Sequence, residues 1–349
     1  MPSRVALHIP HLHRISSLTC RSSPLPLLRR STSTTTSDTD LARTLRSELT
    51  KRTLPLIYDY LTPTPSHLLS LTLPSFSHAP RAIPTLPSTT LDPPPLASAH
   101  HLVYFPTSCP TNHLLPDGTD TLHYAGAPYT HRLWASGSLA LHPTLRLHLD
   151  GSRAVCHETI TAVRLHGLPP ADKVFVTIER RYALCPEREP EHTTRRRLSN
   201  VEQAALVETR ELVFLRHPPE RSPAPATGRS EARLQKGMNV RRDYDWKWRP
   251  SHTALFRFSA LTFNAHDIHL EGEKRLVHGP LTLAVLVGSA EAWLDGRKGT
   301  VKKVEYRNMK GLWGKEEMRV CGREVDGGLR VWIEDENGGV AVRGFITVE

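Results

Sequence analysis

The chain contains no CxxC pair and only five cysteines in 349 residues: Cys20, Cys109, Cys156, Cys185 and Cys321. Thiols so few and so far apart make neither a disulfide scaffold nor a cysteine-rich zinc site, so a reducing compartment is expected. Glycine is sparse, at 20 residues without a three-residue period, which excludes a collagen-like rod. No apolar run suits a membrane span: the strongest, Leu281–Leu294, is short and carries Ser289 and Glu291. Aromatics are only 6% of the chain, and no aromatic platform accompanies the scattered Lys and Arg. The net charge of +10 therefore does not by itself point to nucleic acid. Acidic residues are missing altogether from residues 1–37, which instead hold Arg4, Arg14, Arg21, Arg29, Arg30 and many Ser and Thr. That is the composition of a mitochondrial transit peptide, and residues 1–40 are assigned to one.

The remaining length suits two domains. Helical spacing of apolar residues marks Leu41–Leu49, and Pro65 opens a short helix over Ser66–Leu71. Prolines make 74–95 an irregular loop. Strands are expected at His101–Phe105, Cys156–Arg164, Lys173–Arg181 and Ala205–Arg216, the third with Val174, Val176 and Ile178 on one face. A Pro/Ser/Ala-rich linker over 218–235 separates these from a second meander at 301–306, 317–325, 329–334 and 340–348, with Asn337-Gly338 as a hairpin turn. The segment Leu276–Leu294 is apolar nearly all round, as in a buried helix. A long buried helix followed by an antiparallel meander is an α+β arrangement.

The densest polar stretch precedes that helix: FRFSALTFNAHDIHL, residues 256–270, holds Asn264, His266, Asp267 and His269, and His278 follows. Three readings are open. His266, Asp267 and His269 could bind a metal, although H-D-x-H is not a tetrahedral pattern and no cysteine joins it. They could be loop residues satisfying backbone groups. Or they could perform acid–base chemistry beside the helix N-terminus, where free N–H groups at Gly279 and beyond favour a developing oxyanion. Pro280 contributes no N–H there.

FSALTFNAHDIH followed by LVHGPLTL resembles the signature region of MaoC-type (R)-specific hydratases and dehydratases. LTPTPSHLLSL, HHLVYFPTS, LLPDGTD, RLWASGSL and KVFVTIERRY resemble the branch of mitochondrial hydroxyacyl-thioester dehydratase type 2 and mesaconyl-CoA hydratase, so the likeness spans about residues 50–349. The resemblance implies a double hot-dog fold, two antiparallel sheets each wrapped around a central helix: a degenerate half over 41–217 and a catalytic half over 236–349. It implies a hydro-lyase of mitochondrial type II fatty-acid synthesis that dehydrates (R)-3-hydroxyacyl thioesters or hydrates 2-enoyl thioesters in the matrix. The partner would be an acyl-carrier protein or a CoA thioester, with no cofactor and no metal. The chain would be a monomeric pseudo-dimer or a homodimer. Aligned on the motif Asp-x-Asn-Pro-x-His, His269 takes the place of the catalytic histidine, Asn264 that of the aspartate, His266 that of the asparagine and Asp267 that of the proline. Asn264 would orient water or the hydroxyl, and proton transfer would fall on His269, with His266 as a helper. His278-Gly279 would begin the oxyanion site, and Trp134 and Arg132 would line the acyl or pantetheine channel. Only Leu270–Val277 separates the motif from His278, a shorter connection than the family's. That shortness favours a second reading, a non-catalytic thioester binder. A third keeps the enzyme but gives the acyl group a free carboxylate, which would need a cation such as Arg132 or Arg257.

Overall fold

The computed structural model describes residues 38–76, 84–217, 241–295, 297 and 299–349. Most of the expected transit peptide and all of the expected linker lie outside the described residues; Asp38–Asp40 open the first helix. That helix, α1 (Asp38–Thr50), is followed by α2 (Pro63–Thr72), α3 (Glu191–Leu198), α4 (His252–Leu261), the single turn α5 (Asp267–Leu270) and α6 (Gly279–Leu294). The strands are β1 (Ile57–Tyr60), β2 (His131–Leu141), β3 (Arg153–His166), β4 (Lys173–Leu184), β5 (Leu206–Leu215), β6 (Tyr244–Trp248), β7 (Val301–Asn308), β8 (Met318–Val325), β9 (Gly328–Glu334) and β10 (Val340–Val348).

All ten strands form one antiparallel sheet in the order β1-β3-β4-β5-β2-β7-β10-β9-β8-β6. Read from either edge inward, the order is the same: first, third, fourth, fifth and second strand of each half. The halves join where β2 pairs antiparallel with β7, from Ser136 opposite Arg307 to Ala140 opposite Lys303. The two expected sheets are therefore one continuous sheet, and each half repeats the other's strand order.

Alternation dictates the faces. Val174, Val176, Ile178, Arg180 and Tyr182 of β4 are all buried on one side, the period of two that a half-covered strand requires. In the second half the inner face receives α6, in which Leu281, Leu283, Val285, Leu286 and Val287 are all fully buried. A helix apolar on every side has no stable place in water and settles between β2 and β7–β10. Among the described residues the first half has no long helix on that face. Leu45 and Leu49 of α1, together with Ala125 and Tyr129, cluster there with Ile160, Val163 and Val174. Among the described residues no helix is long and apolar enough to cross a membrane.

Three local expectations are corrected. His101–Phe105 is not a strand: His100–Val103 form a 3-10 turn after Ala99, which takes a left-handed φ of 64°. All four turn residues are buried, so alternation could not be observed there. The helix expected from Leu276 starts at Gly279, because Leu276 pairs in a bridge with Trp313. The central strand β2 was not expected as a strand at all; both its edges are paired and its Ser- and Gly-containing sequence has no apolar alternation.

Candidate active site

The motif loop hangs between two helices. α4 starts on a Ser251 side-chain cap to the Ala254 N–H and ends at Thr262. The chain then reverses through Phe263, whose φ of 52° is unusual for a non-glycine residue. Asn264 N–H donates to Ser259 O at 2.9 Å, and Asn264 Oδ1 accepts from His266 N–H at 3.0 Å. This turn ties the carbonyl oxygen of Asn264 to the loop. Its amide nitrogen is a donor that can hold a hydroxyl or water but cannot take a proton.

His266 precedes α5 and places Nδ1 2.9 Å from Asp267 Oδ1, with Nε2 4.0 Å from Asp117 Oδ2. Burial lowers its pKa; Asp117 opposes the shift and Arg132 adds to it. His269 is buried, and its Nδ1 lies 2.7 Å from Leu276 O. A carbonyl only accepts, so Nδ1 carries the proton and Nε2 keeps its lone pair. Burial pushes the His269 pKa down to about 3; the Leu276 bond opposes this, and His266 and Arg132 lower it further. At neutral pH His269 is therefore an uncharged base of fixed tautomer. His278 stacks on it with ring centroids 3.7 Å apart and is fully buried. His278 Nε2 lies 2.8 Å from Ser259 Oγ, and burial holds its pKa well below the ordinary value. His278 thus backs His269, and of the His278-Gly279 pair it is Gly279 that lines the cleft. Among the described residues no group of three or more His, Cys, Asp and Glu is arranged to hold a metal ion.

Gly279 begins α6. The N–H groups of Gly279 and Leu281 lack carbonyl partners within the helix, and Pro280 has no N–H. A Cβ on Gly279 would stand 2.6 Å from Trp134 Cβ and 3.0 Å from Asn308 Nδ2, so this close approach requires glycine. Trp134 comes from β2 in the other half. It packs against both main hydrophobic clusters, donates from Nε1 to Tyr306 OH at 2.5 Å and lies 4.6 Å from the Arg210 guanidinium.

The first half also supplies a wall. Gly118 has φ +80°, and a Cβ there would stand 2.1 Å from Ala265 O. Asp117 O accepts from Asp267 N–H at 3.1 Å. The Asp117-Gly118 turn thereby fixes the motif loop. Arg132 contacts Asp120 at 3.4 Å. Asn264, His266, His269, Gly279, Trp134 and Arg132 all line one cleft of about 2520 Å³. Deeper in the first half, Glu158 and Glu208 are buried against arginines: Arg180 Nε is 2.6 Å from Glu158 Oε1, and Arg210 Nε is 2.6 Å from Glu208 Oε1. Tyr182 OH donates to Glu208 Oε2 at 2.5 Å.

The runs Arg195-Arg196-Arg197 and Arg241-Arg242 are tied into local ion pairs. Arg195 pairs with Glu191, Arg197 with Glu189 and Arg242 with Glu334. Sequence reasoning missed Asp117, Ser259, Leu276 and Asn308. Only the Asp-Gly turn at 117–118 carried a local signal; the others act through positions that distant strands and turns determine.

Comparison with known proteins agrees with this architecture. A mitochondrial hydroxyacyl-thioester dehydratase type 2 from Schizosaccharomyces pombe is 25% identical over 300 residues, covering 80% of this chain and 92% of that one. A MaoC-like dehydratase from Phytophthora capsici superposes with a TM-score of 0.50 at 8% identity, covering 87% of this chain and 98% of that one. A Mycobacterium tuberculosis protein described as a double hotdog fold superposes with a TM-score of 0.50 at 14% identity, covering 84% and 93%. The fold is thus a double hot-dog, two halves in one chain. The family described as hydroxyacyl-thioester dehydratase type 2 matches residues 99–313, and the chain belongs to that family.

Proposed function

We propose that the chain is a hydro-lyase that interconverts (R)-3-hydroxyacyl and 2-enoyl thioesters. The observation that carries the reading is His269, buried and neutral, with Nδ1–H held by Leu276 O, in one cleft with the N-terminus of α6. The thioester carbonyl accepts from the free N–H groups of Gly279 and Leu281. His269 Nε2 removes the proton at C2, and the charge develops on the carbonyl oxygen as an enolate. The enolate collapses, the C3–O bond breaks, and the proton now on His269 passes to the leaving hydroxyl, which departs as water. Asn264, through its amide N–H, holds that hydroxyl. Hydration runs the same steps in reverse. His278 positions His269 by stacking and through its bond to Ser259, and His266 helps proton transfer only through Nε2 because Nδ1 faces Asp267.

The fungal relative's mitochondrial designation supports a mitochondrial location, and family membership supports a hydroxyacyl-thioester substrate; on this reading the chain works in fatty-acid synthesis in the matrix, on a carrier-bound or CoA thioester. The acid-free, Arg- and Ser-rich residues 1–37 support the same compartment. A second reading, an acyl group bearing a carboxylate, is favoured by Arg132, a cleft cation whose contact with Asp120 is long. The test incubates the full chain with each enantiomer of a 3-hydroxybutyryl thioester and with a dicarboxylic homologue. Formation of enoyl product from the (R) form alone supports the reading. No product from any of them in a folded protein overturns it.

A further inference from the structure

The helix start at Gly279 is an incomplete donor row, because Pro280 interrupts it. An oxyanion is generally stabilised by more than one preorganised donor. Asn308 brings a further donor to this helix start, beside Gly279. It ends β7 on the inner face, two residues beyond Tyr306 and four beyond Val304, both buried in the cluster that contains α6. Its Nδ2 lies 3.0 Å from the point a Cβ on Gly279 would occupy, and its side chain lines the cleft with Gly279 and Thr282.

The amide is held in a known orientation. The β2–β7 ladder stops at Ser136 opposite Arg307, and β2 shifts register against β5 between Trp134 and Ser136. The carbonyl of Trp134 is thereby left beyond the ladder, and Asn308 Nδ2–H donates to it at 2.9 Å. Thr282 Oγ1 donates to Gly279 O at 2.6 Å and lies 3.3 Å from Asn308 Oδ1. The bond to Trp134 O assigns Nδ2, since a carbonyl can only accept. A primary amide has two N–H groups. Trp134 O takes one, and the other has no protein acceptor among the described residues.

We propose that the second N–H of Asn308 donates to the thioester carbonyl beside the α6 N-terminus, making Asn308 a catalytic residue supplied by the strand at the junction of the two halves. The first half then contributes directly to the chemistry, because Trp134 O fixes the amide that polarises the substrate. This rests on the dehydratase reading. No covalent step is added: the enolate oxygen gains a donor and the proton path through His269 is unchanged.

The test uses the full chain with Asn308→Ala and with the isosteric Asn308→Asp, which preserves volume but cannot donate. Both are expected to lower kcat for enoyl-CoA hydration about 10²–10³-fold, the loss typical of one oxyanion donor, with KM changed by less than about threefold. In a His269→Ala background, where bound enoyl thioester is turned over only slowly, the red shift of its absorbance on binding should shrink when Asn308 is also replaced. Thr282→Val, which keeps the donor, should retain that red shift. An unchanged kcat in both Asn308 variants overturns the proposal. So does a fall in kcat with an unaltered red shift, which would make Asn308 a prop for Trp134 only. A folded wild type without activity overturns the dehydratase reading itself and this proposal with it.

Discussion

Replacing Gly279 by alanine separates the packing argument from helix propensity. Taken alone, alanine in place of glycine favours a helix by up to about 1 kcal/mol. Here the new Cβ would stand 2.6 Å from Trp134 Cβ, whereas carbon atoms at rest lie about 3.5–4.0 Å apart. About 1 Å must be recovered. Trp134 cannot yield it cheaply, because its backbone pairs with Leu212 of β5 and its ring is bonded to Tyr306. The displacement falls on the first turn of α6, which holds the thioester carbonyl. Overpacking of this kind costs about 1–3 kcal/mol in stability. A shift of about 1 Å in a reacting group can cost on the order of 10²-fold in rate. Gly279→Ala should therefore melt below wild type and hydrate enoyl thioesters about 100-fold more slowly. Trp134→Gly in the same chain removes the clashing Cβ and should restore part of the stability that Gly279→Ala loses, a coupling visible in a double-mutant cycle. A Gly279→Ala protein with wild-type kcat and an equal or higher Tm would refute the reasoning.

Other expectations follow from the same geometry. The kcat/KM profile should stay flat well below pH 6.5 on the acid side, because burial lowers the His269 pKa to about 3; a limb centred near 6.5 would contradict this. Stability should fall with acid early. His269 and His278 are buried and neutral in the native state, so below about pH 6.5 the unfolded chain binds protons the folded one refuses. The native state then loses up to about 1.4 kcal/mol per pH unit for each histidine, and the loss persists down to the depressed native pKa values. Above pH 6.5 they contribute no slope; chemical denaturation across pH 5–8 measures this. Glu208→Leu leaves Arg210 without its buried carboxylate, while Arg180 keeps Glu158, and should cost about 3–5 kcal/mol in denaturant titrations.

Much of this was legible in the sequence because its physics is local. Alternation in Lys173–Arg181 and the all-round apolar Leu281–Leu294 follow from the periods of strand and helix. Asn337-Gly338 lies in the hairpin between β9 and β10, where the turn signal pointed. The motif histidines, Asn264 and Gly279 share one cleft, and Trp134 and Arg132 reach it from the other half. What stayed hidden depends on distant neighbours. β2 has no apolar alternation because a central strand between two paired edges is stabilised from both sides. The tautomer of His269 rests on the carbonyl of Leu276, seven residues away around a turn. Asn308 is an unremarkable strand end until β2 places Trp134 O beside it.

The most direct measurement is the initial rate of crotonyl-CoA hydration at neutral pH, followed by loss of enoyl absorbance, for the full chain and for His269→Ala. The expected result is turnover by the wild type and a fall of about 10²–10⁴-fold in the variant, the range for removal of a general base. A wild-type rate in His269→Ala would contradict the central claim, as would a folded wild type inert toward short, long and carboxylate-bearing enoyl thioesters.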